Sequence, residues 1–511
     1  GAPRAGDQRV GATQRLIAAI AHQRLGSRIR RGGAGSRFRH RTVRPRASRR
    51  VPRSSECAVT AARVGRLAIV LHSHVPWLLG HGVWPVGEEW LRQAWAHSYL
   101  PLVAMLRERA ERGRTDLLTL GVTPVLAAQW DRPASITEQE RWIADWATRA
   151  TGKGLSAQAA GDPIAAQDAK RHFRAATAAM EEFTQHWRAG GSAAIRPLVA
   201  SGAVELLGGP ATHTFTPHLL EPIADLALAS GLADTTVRTG TRPRGIWAPE
   251  CAYAPGLERH YQRHGIGHFV VDGPTLASRH LSIHRPYLVG DTQVVAFARD
   301  LDVTYRVWSP RSGYPGNRWY QDFHDYDHEW GLHSSRVTRR TSGSKQPYQQ
   351  QRAREQVRID ADDFLEVARA RMVESNETDP VLVVAYDTEL FGHWWHEGPQ
   401  FLATVLDSAR SYGIQTTTLA AVAQEATERV DLPAGTWGSG KDSRVWEDGE
   451  AGTLRDRGRA ASYAVLEYLR GLPSDIRITR RPTSDAIVTE LLLALASDWA
   501  FMITKDSAAH Y

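Results

Sequence analysis

Seven short apolar runs, each ending in polar or Gly/Pro-rich residues, constrain the fold of this chain more than any other feature. They are LAIVLH (67–72), LLTLGV (117–122), AVELLG (203–208), RGIWAP (244–249), HFVVDG (268–273), QVVAFA (293–298) and VLVVAY (381–386). Near-continuous aliphatic and β-branched runs of this length fit strands buried on both faces, as in a parallel sheet. Helix-like segments lie between them, at 88–110, 136–149, 165–188 and 356–375. Such alternation puts helices on both faces of the sheet. Seven strands spread over 67–386 predict a closed β/α barrel rather than an open sheet, with the chemistry at the C-terminal ends of the strands.

The rest of the chain departs from this pattern in three places. Residues 130–200 form a helical insertion rich in Ala, Gln, Glu and Trp, and 335–360 read as a polar loop leading into a helix. After about Thr418 strand patterns stop, and 450–511 is all helical in character. The expected division is a basic, disordered extension over 1–64, a barrel over 65–417 and a C-terminal helical domain over 418–511 that is cut short.

The formal net charge of +8 belongs to the extension. Residues 1–56 hold fifteen Arg and no Lys against Asp7 and Glu56, which is 15 − 2 = +13; the remainder carries 48 − 53 = −5. A transit peptide, a nucleic-acid arm and translated upstream sequence all fit such a tail; the last is preferred, since the chain begins at Gly and the tail lacks Lys. Neither nucleic acid nor membrane is an expected partner of the mildly acidic remainder, and a cytoplasmic location is expected. Two cysteines, Cys57 and Cys251, exclude a disulfide scaffold.

The strand ends carry the chemistry. The first run ends in His72-Ser73-His74, and the third passes Glu205 and leads to His213. The fourth ends at Trp247-Ala248-Pro249-Glu250, and the seventh at Asp387-Thr388-Glu389 before His393-Trp394-Trp395-His396. Polar groups at the ends of apolar strands cost several kcal/mol, on the order of 2–7 each, unless paired or solvated. Gathered at one barrel mouth they make a site of carboxylates, imidazoles and indoles. Trp247, Trp308, Trp394, Trp437 and Trp446 lie in Gly/Pro-rich turns. Flat indoles suit the C–H faces of pyranose rings, and two carboxylates are the working parts of glycoside cleavage.

HSHVPW, GAVELLGGPATH, GIWAPECAY and AYDTELFGHWWHEGP resemble the first four ordered motifs of glycoside hydrolase family 57, and TWGSGKDSRVW (436–446) its fifth. The resemblance covers about 65–511 and is greatest to the actinobacterial 1,4-α-glucan branching enzymes. It implies a distorted (β/α)7 barrel with inserted helices and a C-terminal α-helical domain, acting on α-1,4-glucan without metal or other cofactor. It further implies Glu250 as nucleophile and Asp387 as general acid/base. His72, His74, His213, Trp247, Trp308, His393, Trp437 and Trp446 are the substrate-binding positions that follow.

Other readings of the same residues stand beside this one. His72-x-His74 with His213 and Asp272 is also a candidate metal set for a metal-dependent hydrolase. A non-catalytic glucan-binding barrel, an α-amylase and a 4-α-glucanotransferase complete the alternatives. Glu205 is expected to be a structural acid paired with an arginine, and Cys251 a packed small residue. Of Trp394 and Trp395, an extended segment would point only one toward the sugar.

Overall fold

The computed structural model describes residues 62–83, 87–308, 313–338, 345–472 and 480–505. At its centre is a ring of seven parallel strands: β1 (Gly65–Ser73), β2 (Leu118–Val122), β3 (Val204–Gly208), β4 (Gly245–Ile246), β5 (His268–Asp272), β6 (Val295–Arg299) and β7 (Val381–Asp387). Each expected run supplies one of them. β4 is shorter than its run, because Trp247 to Cys251 turn out of the sheet into a 3-10 segment. The ring closes where β7 pairs with β1 from Arg66↔Val381 to His72↔Asp387, while β7 meets β6 through the single pair Val383↔Arg299. That thin seam is the distortion of the barrel.

Side-chain alternation along the strands builds two layers of core. From β1, Ala68 and Val70 point inward to join Val270, Phe297, Val383 and Ala385, while Leu67, Ile69 and Leu71 pack outward with Leu120, Leu206 and Leu382 under the helices. Period-two alternation with both faces buried is what a helix-covered parallel sheet requires.

Among the described residues, five short strands were not evident in the sequence: Ser335–Arg336 and Gln346–Pro347 pair with each other, and three others extend the barrel sheet. Tyr287–Val289 runs antiparallel to β6, Arg429–Val430 pairs with it, and Ile414–Thr417 pairs with the start of β1. Strand pairing therefore continues past Thr418. Segments of two to four residues are too short to show a period.

The helical insertion is a hairpin of α1 (Pro133–Ala159) and α2 (Pro163–His186). Ala150, Ala157, Ala169, Ala176 and Ala179 are buried, and such small side chains let the two axes approach closely. Asp162 caps α2, accepting hydrogen bonds from Ile164 N and Ala165 N at 2.9 and 3.0 Å. The expected helix 88–110 is interrupted by a π turn at Trp95–Tyr99. That turn delivers Ser98 Oγ to the Thr388 carbonyl at 2.8 Å and Tyr99 OH to the Glu389 carboxyl, beside the site.

Further along, α3 (Leu301–Trp308) follows β6 and α4 (Gln350–Glu374) packs on β1 and β7. The C-terminal part is helical as expected, with α5 (Gly449–Arg470), α6 (Pro482–Ala494) and α7 (Ser497–Lys505). The extension falls outside the described residues up to 61. Among the described residues no helix is long and apolar enough to cross a membrane.

One glycine is indispensable to the joint behind β7. Gly392 has φ +116°, and a Cβ there would fall on the His97 carbonyl of the π turn. Gly392→Ala is expected to destabilise the protein by about 3 kcal/mol, from backbone strain plus overpacking. Urea unfolding curves should show it as a lower midpoint at unchanged slope.

Candidate active site

The C-terminal ends of the strands open into a cleft of about 1040 Å³. Of the expected residues, His72, His74, His213, Glu250, Trp308, Asp387, His393 and Trp437 line it. Parallel register explains one neighbourhood directly: His72 and Asp387 are paired positions on β1 and β7. Glu250 reaches the cleft from the turn after β4, where its backbone is left-handed at φ 63°. His213 is held the same way at φ 59°. Each such non-glycine conformation costs about 1–3 kcal/mol and persists only where surrounding structure enforces it.

Both Glu250 oxygens are held by donors. Ser497 Oγ donates to Oε1 at 2.7 Å and Trp437 Nε1 donates to Oε2 at 2.7 Å. The Trp437 backbone N–H also bonds the Glu250 carbonyl at 2.9 Å, so the two loops are fastened together. Burial pushes the Glu250 carboxyl up to about 7 and the Asp387 carboxyl up to about 7. The two are not equivalent. Hydrogen bonds from Ser497 and Trp437 favour the Glu250 anion, whereas after burial the largest influence on Asp387 is Glu250's negative charge. The hydrogen bonding thus favours the anion on Glu250 and the proton on Asp387.

The imidazoles form a connected group. His72 Nε2 lies 2.9 Å from His213 Nε2, and His213 Nδ1 lies 2.9 Å from Ser497 Oγ. Burial holds His72 and His213 well below the usual imidazole range. His74 stacks on His213 with ring centroids 3.9 Å apart. Its Nδ1 meets Thr123 Oγ1 at 3.0 Å and its Nε2 meets the Asp498 carboxylate at 3.0 Å. Burial opposes ionisation of Asp498, yet its contacts with His74 leave the carboxyl below the usual value.

His74, His213 and Asp498 bring three ligand-type atoms within 4.8 Å of one another, each already hydrogen-bonded to protein. The metal set considered from sequence does not assemble, because Asp272 is drawn elsewhere. It is clamped by Arg299 Nη2 at 2.7 Å and Lys441 Nζ at 2.7 Å.

Two expected site residues are not at the cleft surface. Trp446 is 1% exposed, stacked on Phe215 at 4.7 Å and packed beneath Gly438. Trp247 is 2% exposed and lies under His72 at 4.7 Å, between it and Trp437. Both shape the site from below. Glu205 pairs with His268 Nε2 at 2.5 Å rather than with an arginine, and accepts from Ala420 N at 2.9 Å, near the start of β3 and away from the cleft. Trp395 is core and Trp394 lines the cleft, but through a tight turn rather than an extended segment. Cys251 is buried, and burial raises its thiol pKa.

Sequence reasoning missed Ser497 and Asp498 altogether, and gave no role to Arg299 or Tyr99. A Ser-Asp pair opening a helix reads as ordinary capping. Glu389, two residues after Asp387, accepts the His74 backbone N–H at 3.0 Å, and burial raises its carboxyl to about 8.

Known proteins resemble this chain in sequence and in overall fold. The sequence model of Glycosyl hydrolase family 57 matches residues 68–433. A Mycobacterium tuberculosis protein named "probable 1,4-alpha-glucan branching enzyme" is 44% identical over 469 residues, covering 88% of this chain and 89% of its own length. The crystal structure of a GH57-type branching enzyme from Pyrococcus horikoshii superposes with a TM-score of 0.81 at 30% identity, covering 88% of this chain and 87% of that one. A GH57 branching enzyme from Thermococcus kodakaraensis, solved in complex with glucose, gives 0.80 at 27% identity, covering 88% and 87%. Matched by the family model over most of its length and 44% identical to a relative that it covers almost entirely, the chain belongs to glycosyl hydrolase family 57.

Proposed function

We propose that this protein is a 1,4-α-glucan branching enzyme that works by a retaining double displacement. One observation carries the reading: Glu250, each oxygen held by a hydrogen-bond donor, and Asp387, with no such donors to its carboxyl among the described residues and a raised value, line one cleft. The names borne by the relatives support the substrate class.

In the first step Glu250 attacks C1 of an α-1,4-linked glucosyl unit. The C1–O4 bond breaks, and Asp387 gives its proton to O4 of the departing chain. The glucosyl ester on Glu250 is then attacked by a glucan 6-hydroxyl. Asp387 takes that hydroxyl's proton, the C1–O6 bond forms and the ester is released. His72, His74 and His213 contact the sugar at the cleavage point. Trp308, which is 38% exposed, offers an indole face to the chain, with Trp394 beside it at 5.9 Å. His393 lies further along the cleft, and Trp437 covers Glu250. Trp247 and Trp446 act from beneath, as supports. A cytoplasmic setting in glycogen or related polysaccharide synthesis belongs to the same proposal.

No step requires a metal, so activity on amylose is expected to be unchanged after EDTA treatment and dialysis. A loss restored by added zinc would favour the metal-hydrolase alternative. Incubation with amylose, followed by enzymatic debranching and chain-length analysis, tests the function itself. New α-1,6 linkages are expected. Reducing ends alone would make it an amylase, and longer linear chains a 4-α-glucanotransferase.

A further inference from the structure

Helix α7 presents one face to the cleft, with Asp498, Phe501, Met502 and Lys505 all lining it. Ser497 begins this helix, is 2% exposed, and donates its backbone N–H to the His213 carbonyl at 3.0 Å. Its hydroxyl sits between Glu250 Oε1 at 2.7 Å and His213 Nδ1 at 2.9 Å. Those contacts have only one consistent direction.

An ionised carboxylate accepts hydrogen bonds and donates none, so the Ser497 hydroxyl proton points at Glu250. The serine oxygen then offers His213 only lone pairs, which puts the His213 proton on Nδ1. A neutral imidazole carries one N–H, so His213 Nε2 is bare and accepts from His72 Nε2–H at 2.9 Å. The chain of donors therefore runs one way, from His72 through His213 and Ser497 to Glu250. Burial keeps both imidazoles neutral, as this order requires.

We propose that Ser497 is a positioning residue of the displacement: it orients the Glu250 carboxylate for attack and fixes the tautomers of His213 and His72. The proposal rests on Glu250 being the nucleophile and deepens that reading. Ser497 and Trp437 each hold one oxygen. Whichever oxygen attacks C1, the other becomes the ester carbonyl and keeps its donor throughout. A donor preorganised in this way, free of reorganisation during the reaction, is worth most in a buried site. Trp437 comes from the segment after the barrel and Ser497 from the last described helix, so the nucleophile is set by parts of the chain far from it in sequence.

The charged group acting on Glu250 is Asp498 on α7; Asp387 on β7 in turn feels the charge of Glu250, His213 shares the Ser497 hydroxyl with it and leads on to His72, and the Arg299–Asp272–Lys441 cluster acts with Glu250 on the adjoining Cys251. Removing the Ser497 donor leaves that surrounding charge in place and withdraws one hydrogen bond from the anion.

The test compares wild type with Ser497→Ala, Ser497→Thr and Ser497→Cys in amylose branching across pH, with circular dichroism confirming the fold. Ser497→Ala is expected to lower kcat by about 10²-fold with KM within about twofold, because the lost contact acts on the reacting group. Its acid limb should move up by about one pH unit, since the Glu250 anion loses a charge-assisted donor. Ser497→Thr, which keeps the hydroxyl, should recover to within about fivefold of wild type and restore the limb. Ser497→Cys keeps the volume with a weaker donor and gives the same reading if the alanine variant does not fold. Wild-type kcat and pH profile in Ser497→Ala or Ser497→Cys would overturn the proposal. If Glu250→Gln is inactive at the same time, only the role of Ser497 fails. If Glu250→Gln retains activity, the nucleophile assignment fails first.

Discussion

Glu250→Gln and Asp387→Asn are each expected to lower branching of amylose by at least about 10³-fold, or roughly 4 kcal/mol of transition-state stabilisation, with the fold intact. For Glu250 the expectation follows from geometry. The glutamine amide is isosteric and can still reach Ser497 and Trp437, but it is no nucleophile. For Asp387 it follows from charge. Burial and the neighbouring Glu250 anion raise its carboxyl to about 7, so it can donate a proton to O4 near neutrality and take one back in the second half-reaction. Asparagine can do neither. The two variants should differ in one respect: azide should rescue Asp387→Asn on an activated substrate, because a small anionic nucleophile needs no base to discharge the ester. The pH profile of the wild type should be a bell set by the pair together. Activity is lost at low pH as Glu250 becomes protonated, and at high pH as Asp387 loses its proton.

A second large effect is expected in acid. His72, His97, His172 and His213 are held well below the usual imidazole range by burial, and His393 and His396 are pushed down to about 3. A depressed folded value means that stability is present above the unfolded value of about 6.5 and is lost as pH falls, because the unfolded chain binds protons that the native one excludes. Each such histidine contributes a slope of about 1.4 kcal/mol per pH unit. Glu250, Asp387, Glu389 and Glu397 act in the other direction. Their folded values are raised, to about 7, 7, 8 and 7. Their contribution is full below the unfolded carboxyl value of about 4.3 and is lost as pH rises through the raised folded values. Between about 4.5 and 6.5 the two sets oppose one another. Below about 4.3 the raised carboxyls stop contributing to the slope, and the histidines act together with depressed carboxyls such as Asp498, Asp300 and Glu205. Several histidines then remove on the order of 5 kcal/mol or more per pH unit, comparable with the whole stability of a typical domain. A cooperative unfolding transition is expected between about pH 4.5 and 3.5, seen by circular dichroism, with His396→Gln moving it to lower pH. A protein still folded at pH 3 would show that these imidazoles gain protons without cost.

How much of this was legible beforehand depended on the range of the interactions involved. The seven barrel strands were read from local patterning because each is a continuous buried run, and their ends carry the polar residues that a C-terminal barrel face requires. The short Arg429–Val430 and Tyr287–Val289 strands have no such signature, since Tyr287–Val289 is placed by pairing with β6 and Arg429–Val430 by pairing with Tyr287–Val289. Glu250 and Asp387 were legible as strand-end carboxylates, and their motifs carried the resemblance. Ser497 was not: it lies 247 residues from Glu250, and only the folded chain brings the two together. Trp437 and Trp446 look alike in a Gly-rich segment. Packing separates them, one against Glu250 and one beneath Phe215. Tyr314, in the tight turn Tyr314–Gly316, is likewise placed only by the fold, through a hydrogen bond to Asp363 on α4 at 2.6 Å.

The central claim is that Glu250 carries the sugar between the two displacements. It is tested most directly by incubating the wild-type protein with 5-fluoro-α-glucosyl fluoride, which forms the glucosyl-enzyme and discharges it slowly, and then mapping the digested protein by mass spectrometry. One fluoroglucosyl group on the peptide containing Glu250, absent in Glu250→Gln, is the predicted result. A label on another carboxylate, or an active enzyme that turns the reagent over to the inverted anomer without a label, would contradict it.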